Sequence, residues 1–387
     1  MSKFSQGSGH AHYIVIPAQA GTYRSNAREA DKWVPACAGM TIGGCTKMAK
    51  ARGGNYLDPD RPGAVRLSVA EARALGEGAL GRIGYDADDS RIVTDQLVDN
   101  SLCGYRFAGL PRILAIAREA KTQNARSPVA IVHETPAAAL VDGGNNVGYV
   151  AVYRGAEIAI RKARESGVAA VGVYNSYFSG RNAYYLERIV EAGFVGLHSA
   201  SGSPHIVPPG ATRPALGTNP IAFGFPSADG PVIYDIGTAS LMWAEVLLSA
   251  ETGEELPEGT AFDADGNPTR DGKAAAKGGV AAWGGHKGYG LAFAIQALGL
   301  LAGAAIPRGQ VQDYGFLFLV VDPGALLPGN PFPRQMADLV KAIQGTPRRA
   351  GIEEIRVPSQ RAFRERERRR AEGILVDRAV IDALGAL

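Results

Sequence analysis

Between residues 127 and 250, short apolar runs alternate with longer stretches that have helical spacing. Short apolar runs bounded by turn residues are typical of buried strands, and apolar residues at every third or fourth position are typical of helices. The predicted strands lie in VAIVHE, AALVDG, GVAAVGVYNS, FVGLHSAS, NPIAFGFP and PVIYDIG, and the predicted helices span residues 147–166, 183–192 and 239–250. This order predicts an α/β fold.

The stretch GEGALG, residues 76–81, has the G-x-G-x-x-G spacing of a dinucleotide-binding loop. However, Ser68 and Glu71 form the S-x-x-E pattern of a helix start. Apolar residues follow at helical spacing: Val69, Ala72, Leu75, Ala79 and Ile83. The glycines are therefore predicted to lie inside a helix, where the helix itself uses the backbone N–H groups, so no phosphate site is expected there.

Composition limits the classes of function. The chain has 387 residues with 41 basic and 38 acidic side chains, and a net charge of +3 does not favour a nucleic-acid or membrane-surface protein. The longest apolar run, residues 291–306, is shorter than a membrane span and predicts a buried helix.

Residues 360–373 are a charge run, which predicts a solvated helix. The three cysteines show no disulfide framework and no metal spacing, which favours the cytoplasm and no metal site.

The pattern divides the chain into four segments. Residues 1–47 contain HYIVIPAQAGTY and DKWVPACAGMT, which resemble the translated form of a short bacterial intergenic repeat. They are predicted to be a disordered leader or a start-site artefact, with Met48 as the true start; a genuine N-terminal arm is the alternative. Residues 48–126 are predicted to be helical and residues 127–270 α/β. Residues 271–387 are predicted to be helical, with a C-terminal segment that packs back on the N-terminal part.

Two glycine-containing turns have features of anion sites. In YDIGTAS, Asp235 is predicted to end a strand, and Thr238 and Ser240 to open a helix whose free N–H groups suit an anion; simple N-capping is the alternative. In GGHKGYG, glycines let the backbone approach a ligand and Lys287 supplies a cation, with a flexible helix start as the alternative. Arg112, in GLPRIL, can bind a carboxylate with two hydrogen bonds, unless it is an ordinary surface arginine.

Five stretches occur in the order and spacing of one family: LVDNSLCGYRFAGLPRIL, LVDGGNNVGYVAVYRGAEIAIRKARESGVAAVGVYNS, GTNPIAFGFP, YDIGTAS and GGHKGYGLA. From residue 66 to 387 the chain resembles the malate/L-lactate dehydrogenases, a group that includes ureidoglycolate and sulfolactate dehydrogenases, diketogulonate reductase and piperideine-carboxylate reductase. The resemblance implies a non-Rossmann NAD(P)-binding fold with a mixed sheet plus a helical domain. It implies a homodimer with the active site near the subunit interface, and hydride exchange with a 2-oxo or 2-imino acid. It implies that residues 127–270 bind NAD or NADP. The implied contact residues are Ser203, Ile236, Gly237 and Thr238, together with Lys287 from the following segment.

The chain departs from the family pattern at two histidines. The family has S-H-G-x-x-R where this chain has FAGLPR, so Ala108 replaces a histidine and Arg112 remains. It also has N-S-x-H-F-G where this chain has NSYFSG, so Phe178 replaces the second histidine. Reduction of a carbonyl by hydride needs a proton donor near the developing alkoxide, and histidine is the usual one.

Three explanations follow from these replacements. In the first, Arg112 holds the substrate carboxylate, Asp235 orients the donor or the turn, and another group supplies the proton; the candidates are His286, Tyr177, His205 and Tyr105. In the second, the substrate is a cyclic imine, whose iminium form already carries its proton. In the third, the protein binds its cofactor without turnover. The expected function is an NAD(P)-dependent dehydrogenase of small 2-hydroxy acids. The histidines in predicted strands, His133 and His198, are expected to be structural.

Overall fold

The computed structural model describes residues 63–105 and 108–387; the predicted leader, residues 1–47, lies outside them, as does Phe107. The helices are α1 (Val69–Arg82), α2 (Ala87–Leu102), α3 (Arg112–Arg118), α4 (Gly148–Ser166), α5 (Asn182–Glu191), α6 (Trp243–Thr252), α7 (Gly272–Lys277), α8 (His286–Leu301), α9 (Pro323–Leu326), α10 (Phe332–Gln344), α11 (Gln360–Glu372) and α12 (Arg378–Gly385). The strands are β1 (Ala64–Leu67), β2 (Ala130–Glu134), β3 (Ala138–Asp142), β4 (Val168–Tyr174), β5 (Val195–Ala200), β6 (Ile221–Phe225), β7 (Val232–Ile236), β8 (Ala261–Phe262), β9 (Pro268–Thr269), β10 (Gly279–Val280), β11 (Phe316–Val321) and β12 (Ile374–Asp377).

Seven strands form one mixed sheet in the order β2-β3-β4-β11-β5-β6-β7. Strands β3 and β4 are parallel and are joined by α4, whereas the other neighbours in this sheet are antiparallel. The predicted α/β fold with a mixed sheet is therefore confirmed. The sheet extends beyond the segment 127–270 that was predicted to be α/β. Its central strand, β11, comes from residues 271–387, which were predicted to be helical.

Helices α4 and α5 pack against the sheet and share one hydrophobic core with it. The α4 side of this core is rich in alanine, and at Gly155 an added Cβ would lie 2.5 Å from Val173 Cγ2. Small residues thus let α4 approach β4 closely. Helix α8 packs against β5 and β11.

Helices α1, α2 and α3 form a second core together with β12 and α12. The predicted helix start is confirmed: the Glu71 N–H donates to Ser68 Oγ at 3.2 Å, and the Ser68 N–H donates to the Glu71 carboxylate at 2.7 Å. Gly76 is buried inside α1, where an added Cβ would lie 2.8 Å from Thr94 Cγ2. The G-x-G-x-x-G stretch is therefore part of a packed helix, as predicted. Strand β1 pairs with β12, so the last strand lies beside the first one described.

Two predicted helices differ from the structure. The helix predicted over residues 239–250 begins at Trp243, after a Met242 that takes the N-cap position. The apolar run at residues 291–306 is only partly buried: α8 ends at Leu301, and Phe293 and Leu301 are 61% and 73% exposed. Within residues 63–105 and 108–387, no helix has the length and apolar character needed to cross a membrane.

Candidate functional site

Arg112 is the first residue of α3, and its guanidinium carbon lies 4.4 Å from the centroid of the Phe178 ring. Arg112 is partly exposed. The hydroxyl of the buried Tyr149 is a further neighbour: burial raises the pKa of Tyr149, and the nearby Arg112 opposes that shift. A partly exposed arginine is a residue type that can bind a carboxylate through two hydrogen bonds.

Ala108 and Phe178, the two replaced positions, carry no side chain that can donate a proton. The backbone carbonyl of Ala108 accepts a hydrogen bond from Asn100 Nδ2 at 2.9 Å, which fixes the segment before α3. Phe178 has a φ of 52°, which is rare for an aromatic residue. The described histidines lie elsewhere: His133 on the edge strand β2, His198 on β5, His205 before β6, and His286 at the start of α8.

Tyr177, a candidate proton donor from the sequence, is fully buried. Its hydroxyl lies 2.7 Å from Thr122 Oγ1, and its ring meets the Phe178 ring edge-on with centroids 5.4 Å apart. Burial raises the pKa of Tyr177, and the hydrogen bond to Thr122 opposes that shift. A buried hydroxyl that is already paired does not favour direct proton transfer to a substrate.

Asp235 lies on β7 and binds the start of α5. Its carboxylate accepts a hydrogen bond from the Ala183 N–H at 2.9 Å. Burial raises the pKa of Asp235, whereas this hydrogen bond and the nearby Arg181 favour the charged form. The geometry gives Asp235 a positioning role, because a carboxylate at a helix N-terminus satisfies the unpaired N–H groups there.

The turn at Ile236–Gly237–Thr238 begins at the last residue of β7. The expectation that Thr238 and Ser240 open a helix with free N–H groups is wrong, because α6 begins later and both N–H groups are already used. The Thr238 N–H donates to Thr218 O at 3.0 Å, and the Ser240 N–H donates to Ala281 O at 2.8 Å. The Thr238 side chain also donates to Thr218 O, at 2.9 Å. Gly237 is exposed, so it presents the backbone of this turn to a ligand.

The start of α8 forms an open, glycine-rich surface. Gly284 and Gly285 have φ values of 62° and 64°, and an added Cβ on either would meet nothing within 4 Å. His286 and Lys287 follow and are exposed. The first N–H groups of a 16-residue helix, open space for a ligand and a lysine fit the phosphate groups of a cofactor. The Trp283 N–H donates to Thr238 O at 2.7 Å, which holds this surface beside the β7 turn.

Ser203 and His205 lie in the loop after β5. Ser203 Oγ lies 3.3 Å from the Asp313 carboxylate and 3.4 Å from the Tyr314 hydroxyl. His205 Nδ1 is 2.7 Å from Ser203 O, and burial lowers the pKa of this histidine. The His205 ring packs edge-on against Trp243, with centroids 4.2 Å apart. These contacts give His205 a structural role in shaping the loop.

His198 is fully buried on β5, as expected of a structural histidine. Its ring stacks on Phe318 with centroids 4.0 Å apart, and Nδ1 lies 3.1 Å from Leu317 O. Burial lowers the pKa of His198 to about 3, so the imidazole is neutral at neutral pH. Within the described part of the chain, no group of three or more histidine, cysteine or acidic residues could hold a metal ion.

Lys121 and Tyr314 connect the arginine site to the Ser203 loop, and the sequence analysis missed both. Lys121 Nζ lies 5.9 Å from the centroid of the Tyr314 ring, and Thr122, its neighbour, pairs with Tyr177. Tyr314 contacts Ser203 through its hydroxyl. The segment around Lys121 carries no motif, so only the folded chain brings these residues together. Tyr105, the remaining candidate donor, lies under Arg181 and Arg361, with guanidinium carbons 5.8 and 5.6 Å from its ring centroid.

The fold is α/β with a mixed sheet, and it carries an arginine held against the Phe178 ring and an open, glycine-rich helix start at α8. The profile of the family described as Malate/L-lactate dehydrogenase matches residues 67–385. The chain belongs to this family and is an oxidoreductase of the dehydrogenase and reductase type, as the five sequence stretches predicted.

Two relatives and two solved structures show how far the similarity extends. The chain is 31% identical to a malate/(S)-sulfolactate dehydrogenase of Methanothermus fervidus, over 82% of this chain and 96% of the relative. It is 32% identical to a Delta(1)-pyrroline-2-carboxylate reductase of Ancylobacter novellus, over 84% and 97%. The sulfolactate dehydrogenase structure from Methanocaldococcus jannaschii has a TM-score of 0.73 at 29% identity, covering 83% of this chain and 95% of that one. A dehydrogenase structure from Sinorhizobium meliloti has a TM-score of 0.76 at 26% identity, covering 84% and 98%.

Proposed function

We propose that the protein transfers hydride between a nicotinamide cofactor, NAD or NADP, and a small 2-oxo or 2-hydroxy acid. The observation that carries the proposal is the partly exposed Arg112 over the Phe178 ring, since a guanidinium suits the carboxylate that every such acid has. The similarity to malate and sulfolactate dehydrogenases supports the same class of substrate.

The cofactor would be held by the β7 turn and the start of α8. Lys287 and the N–H groups of α8 would bind its phosphates, and Gly237 and Ser203 would contact the rest of the molecule. When bound, the nicotinamide supplies or accepts the hydride. Asp235 keeps the start of α5 in place, and Arg112 fixes the acid so that its reacting carbon faces one direction.

The first test is a titration of the full chain with NADH and, separately, NADPH, followed by nicotinamide fluorescence. We expect saturable binding of at least one, and Lys287→Met should weaken it about tenfold or more, because one charge-assisted contact is lost. Lys277→Met, at an exposed lysine on α7, is the control and should bind as the wild type does. A folded wild-type protein that binds neither cofactor would contradict the proposal.

A second candidate function is the reduction of a cyclic 2-imino acid. It is favoured by Ala108 and Phe178, since an iminium needs no proton at nitrogen, and by the pyrroline-carboxylate reductases among the relatives. A panel with 2-oxo acids in one set and cyclic imino acids in the other separates the two. Turnover of the cyclic imines alone would favour the second function. Cofactor binding without turnover of any acceptor would instead indicate a binding protein.

We also propose that the protein is a cytoplasmic homodimer. The family resemblance supports the dimer, and the low cysteine content supports a reducing compartment. Cys103 is buried and unbridged.

A further inference from the structure

The proposed reduction of a carbonyl leaves an oxygen that needs a proton, and the site around Arg112 offers few groups that can give one. Ala108 and Phe178 have no acidic proton. Tyr177 is fully buried and already paired with Thr122. His286 is exposed at the start of α8, where the phosphates of the cofactor are expected to bind.

Lys121 is a cation with contacts to Glu119 and Tyr314, and its neighbour Thr122 pairs with Tyr177. It lies in the short 3-10 helix that follows α3 (Ala120–Gln123), and its side chain is 19% exposed. Its backbone is fixed, because its carbonyl accepts a hydrogen bond from Asn145 Nδ2 at 3.0 Å. Its amine faces the Glu119 carboxylate at 3.4 Å and the ring of Tyr314.

Two contacts relate Lys121 to the rest of the site: its own contact with Tyr314, and the hydrogen bond that its neighbour Thr122 makes with Tyr177. On one side, Tyr314 places its hydroxyl 3.4 Å from Ser203 Oγ, on the cofactor side. On the other, Thr122 bonds to Tyr177, whose ring meets Phe178 beneath Arg112. Phe178 and Tyr314 also pack against the same hydrophobic core. The Arg112 guanidinium and the Lys121 amine therefore each lie over a ring that packs against this core.

We propose that Lys121 is the proton donor for carbonyl reduction in this chain, replacing the imidazoles missing at Ala108 and Phe178; this rests on the proposed function. As hydride from the reduced nicotinamide forms a C–H bond at the carbonyl carbon, the C=O π bond breaks. The oxygen takes one proton from the Lys121 ammonium and becomes a hydroxyl. The neutral amine then regains a proton from water, beside the Glu119 carboxylate at 3.4 Å.

The test compares Lys121→Met with wild type on two substrates, a 2-oxo acid and a cyclic imino acid. Loss of a general acid should lower kcat on the oxo acid by about 100-fold or more. Because the iminium brings its own proton, kcat on the imine should fall by less than about threefold. Lys121→Arg keeps the charge but is a poor donor, so it should not restore the oxo-acid rate. Lys273→Met, at an exposed lysine on α7, is the control that should change neither rate.

A second readout does not depend on turnover. Acetylation of lysines by acetic anhydride is mapped by mass spectrometry, with reduced cofactor present, and with and without oxamate, an unreactive analogue of a 2-oxo acid. Oxamate should protect Lys121 from acetylation at least severalfold and leave Lys273 unprotected. The same measurement tests the proposal if Lys121→Met does not fold.

Several results would overturn the proposal. They are an unchanged oxo-acid rate in Lys121→Met, an equal loss on both substrates, or acetylation of Lys121 that oxamate does not change. Failure of the proposed function looks different, because the wild type itself would then not reduce the oxo acid, whether or not it turns over the imine. Failure of the Lys121 proposal leaves wild-type oxo-acid reduction intact.

Discussion

Phe178 holds its ring against the Arg112 guanidinium while its own backbone is left-handed, at a φ of 52°. Such a conformation costs on the order of 1–3 kcal/mol and persists only where the surroundings impose it. Since the ring covers one face of the guanidinium, a carboxylate that binds in the plane of its N–H groups would approach from the edge. The pair therefore favours one orientation of the acid.

The role of Arg112 can be tested by its removal. Arg112→Ala should raise KM for a 2-oxo acid about 10- to 100-fold, the range that corresponds to the loss of a charge-assisted hydrogen-bond pair, and leave cofactor affinity unchanged. Arg118→Ala, at an exposed arginine at the other end of α3, is the matched control. Steady-state kinetics and the fluorescence titration measure both effects. Equal KM values in the two variants would show that Arg112 does not bind the substrate.

His198 should make stability depend on pH. Its folded pKa of about 3 lies well below the ordinary value, so the unfolded chain binds the proton more readily. The stabilising contribution is complete above the unfolded pKa and is lost as pH falls from there towards 3. Between pH 7 and 5, the free energy of unfolding should fall by about 2 kcal/mol through this residue.

Urea denaturation at several pH values measures this slope. His198→Gln should remove that part of it, whereas His133→Gln, at an exposed histidine on β2, should leave it in place. Parallel pH profiles for wild type and His198→Gln would contradict the assignment.

At the level of single elements, much of the fold follows from local pattern. The capping box of α1 and the apolar spacing along α4 predicted both helices, because these signals lie within a few residues of one another. The sequence pattern did not predict where α6 begins, nor the central strand β11, because contacts with residues distant in sequence determine both. The residues before α6 are held by Thr218 and Ala281, and β11 is held by strands β4 and β5. Lys121 could not be predicted from the sequence for the same reason, because its contact Tyr314 is distant in the sequence and is brought close only by the fold.

The glycines of α1 give a prediction that separates packing from cofactor binding. Gly76→Ala should destabilise the protein by about 1–3 kcal/mol, because its Cβ would press on Thr94. Gly78→Ala is the matched partner in the same G-x-G-x-x-G stretch. Its Cβ would meet only Arg82 Nη1 at 3.4 Å, so it should stabilise the helix by about 0.5–1 kcal/mol. Neither change should alter cofactor affinity, which fluorescence titration and urea denaturation together will check; a weakened affinity in either would restore the dinucleotide-loop interpretation.

The charge run in α11 is not fully solvated, contrary to the sequence expectation. Arg366 Nε lies 2.9 Å from Asp99 Oδ1 of α2, and another nitrogen of its guanidinium lies 2.7 Å from Glu187 Oε2 of α5. These side chains, with the partner Arg181, are at most 16% exposed. Residue composition shows the charges, but only the tertiary contacts show which of them face inward.

Removal of one charge from this cluster should be costly. Arg366→Met leaves Asp99 and Glu187 short of a partner and should destabilise the protein by about 3–5 kcal/mol. Arg370→Met, on the exposed side of the same helix, removes only a pair with Glu367 and should cost less than about 1 kcal/mol. The midpoints of denaturant unfolding measure both, and similar midpoints would show that the cluster contributes little.

For the whole molecule, the proposed homodimer can be tested on the apolar side of α8. Phe293, Leu300 and Leu301 are 61%, 46% and 73% exposed there, more apolar surface than a lone helix face usually leaves in water. Leu301→Glu should shift the sedimenting species from dimer to monomer if this side lies in the dimer interface. Leu326→Glu, at a leucine 74% exposed on α9, is the control and should stay dimeric. Equal sedimentation of both variants would place the interface elsewhere.

The central position of β11 has a consequence for biosynthesis. On the ribosome, β4 and β5 emerge long before residues 316–321, the strand that has to lie between them. Until then each of these strands has an open edge, and such edges pair readily with other chains. The sheet therefore forms only when most of the chain has been made, and folding is expected to be slow and helped by chaperones that cover those edges.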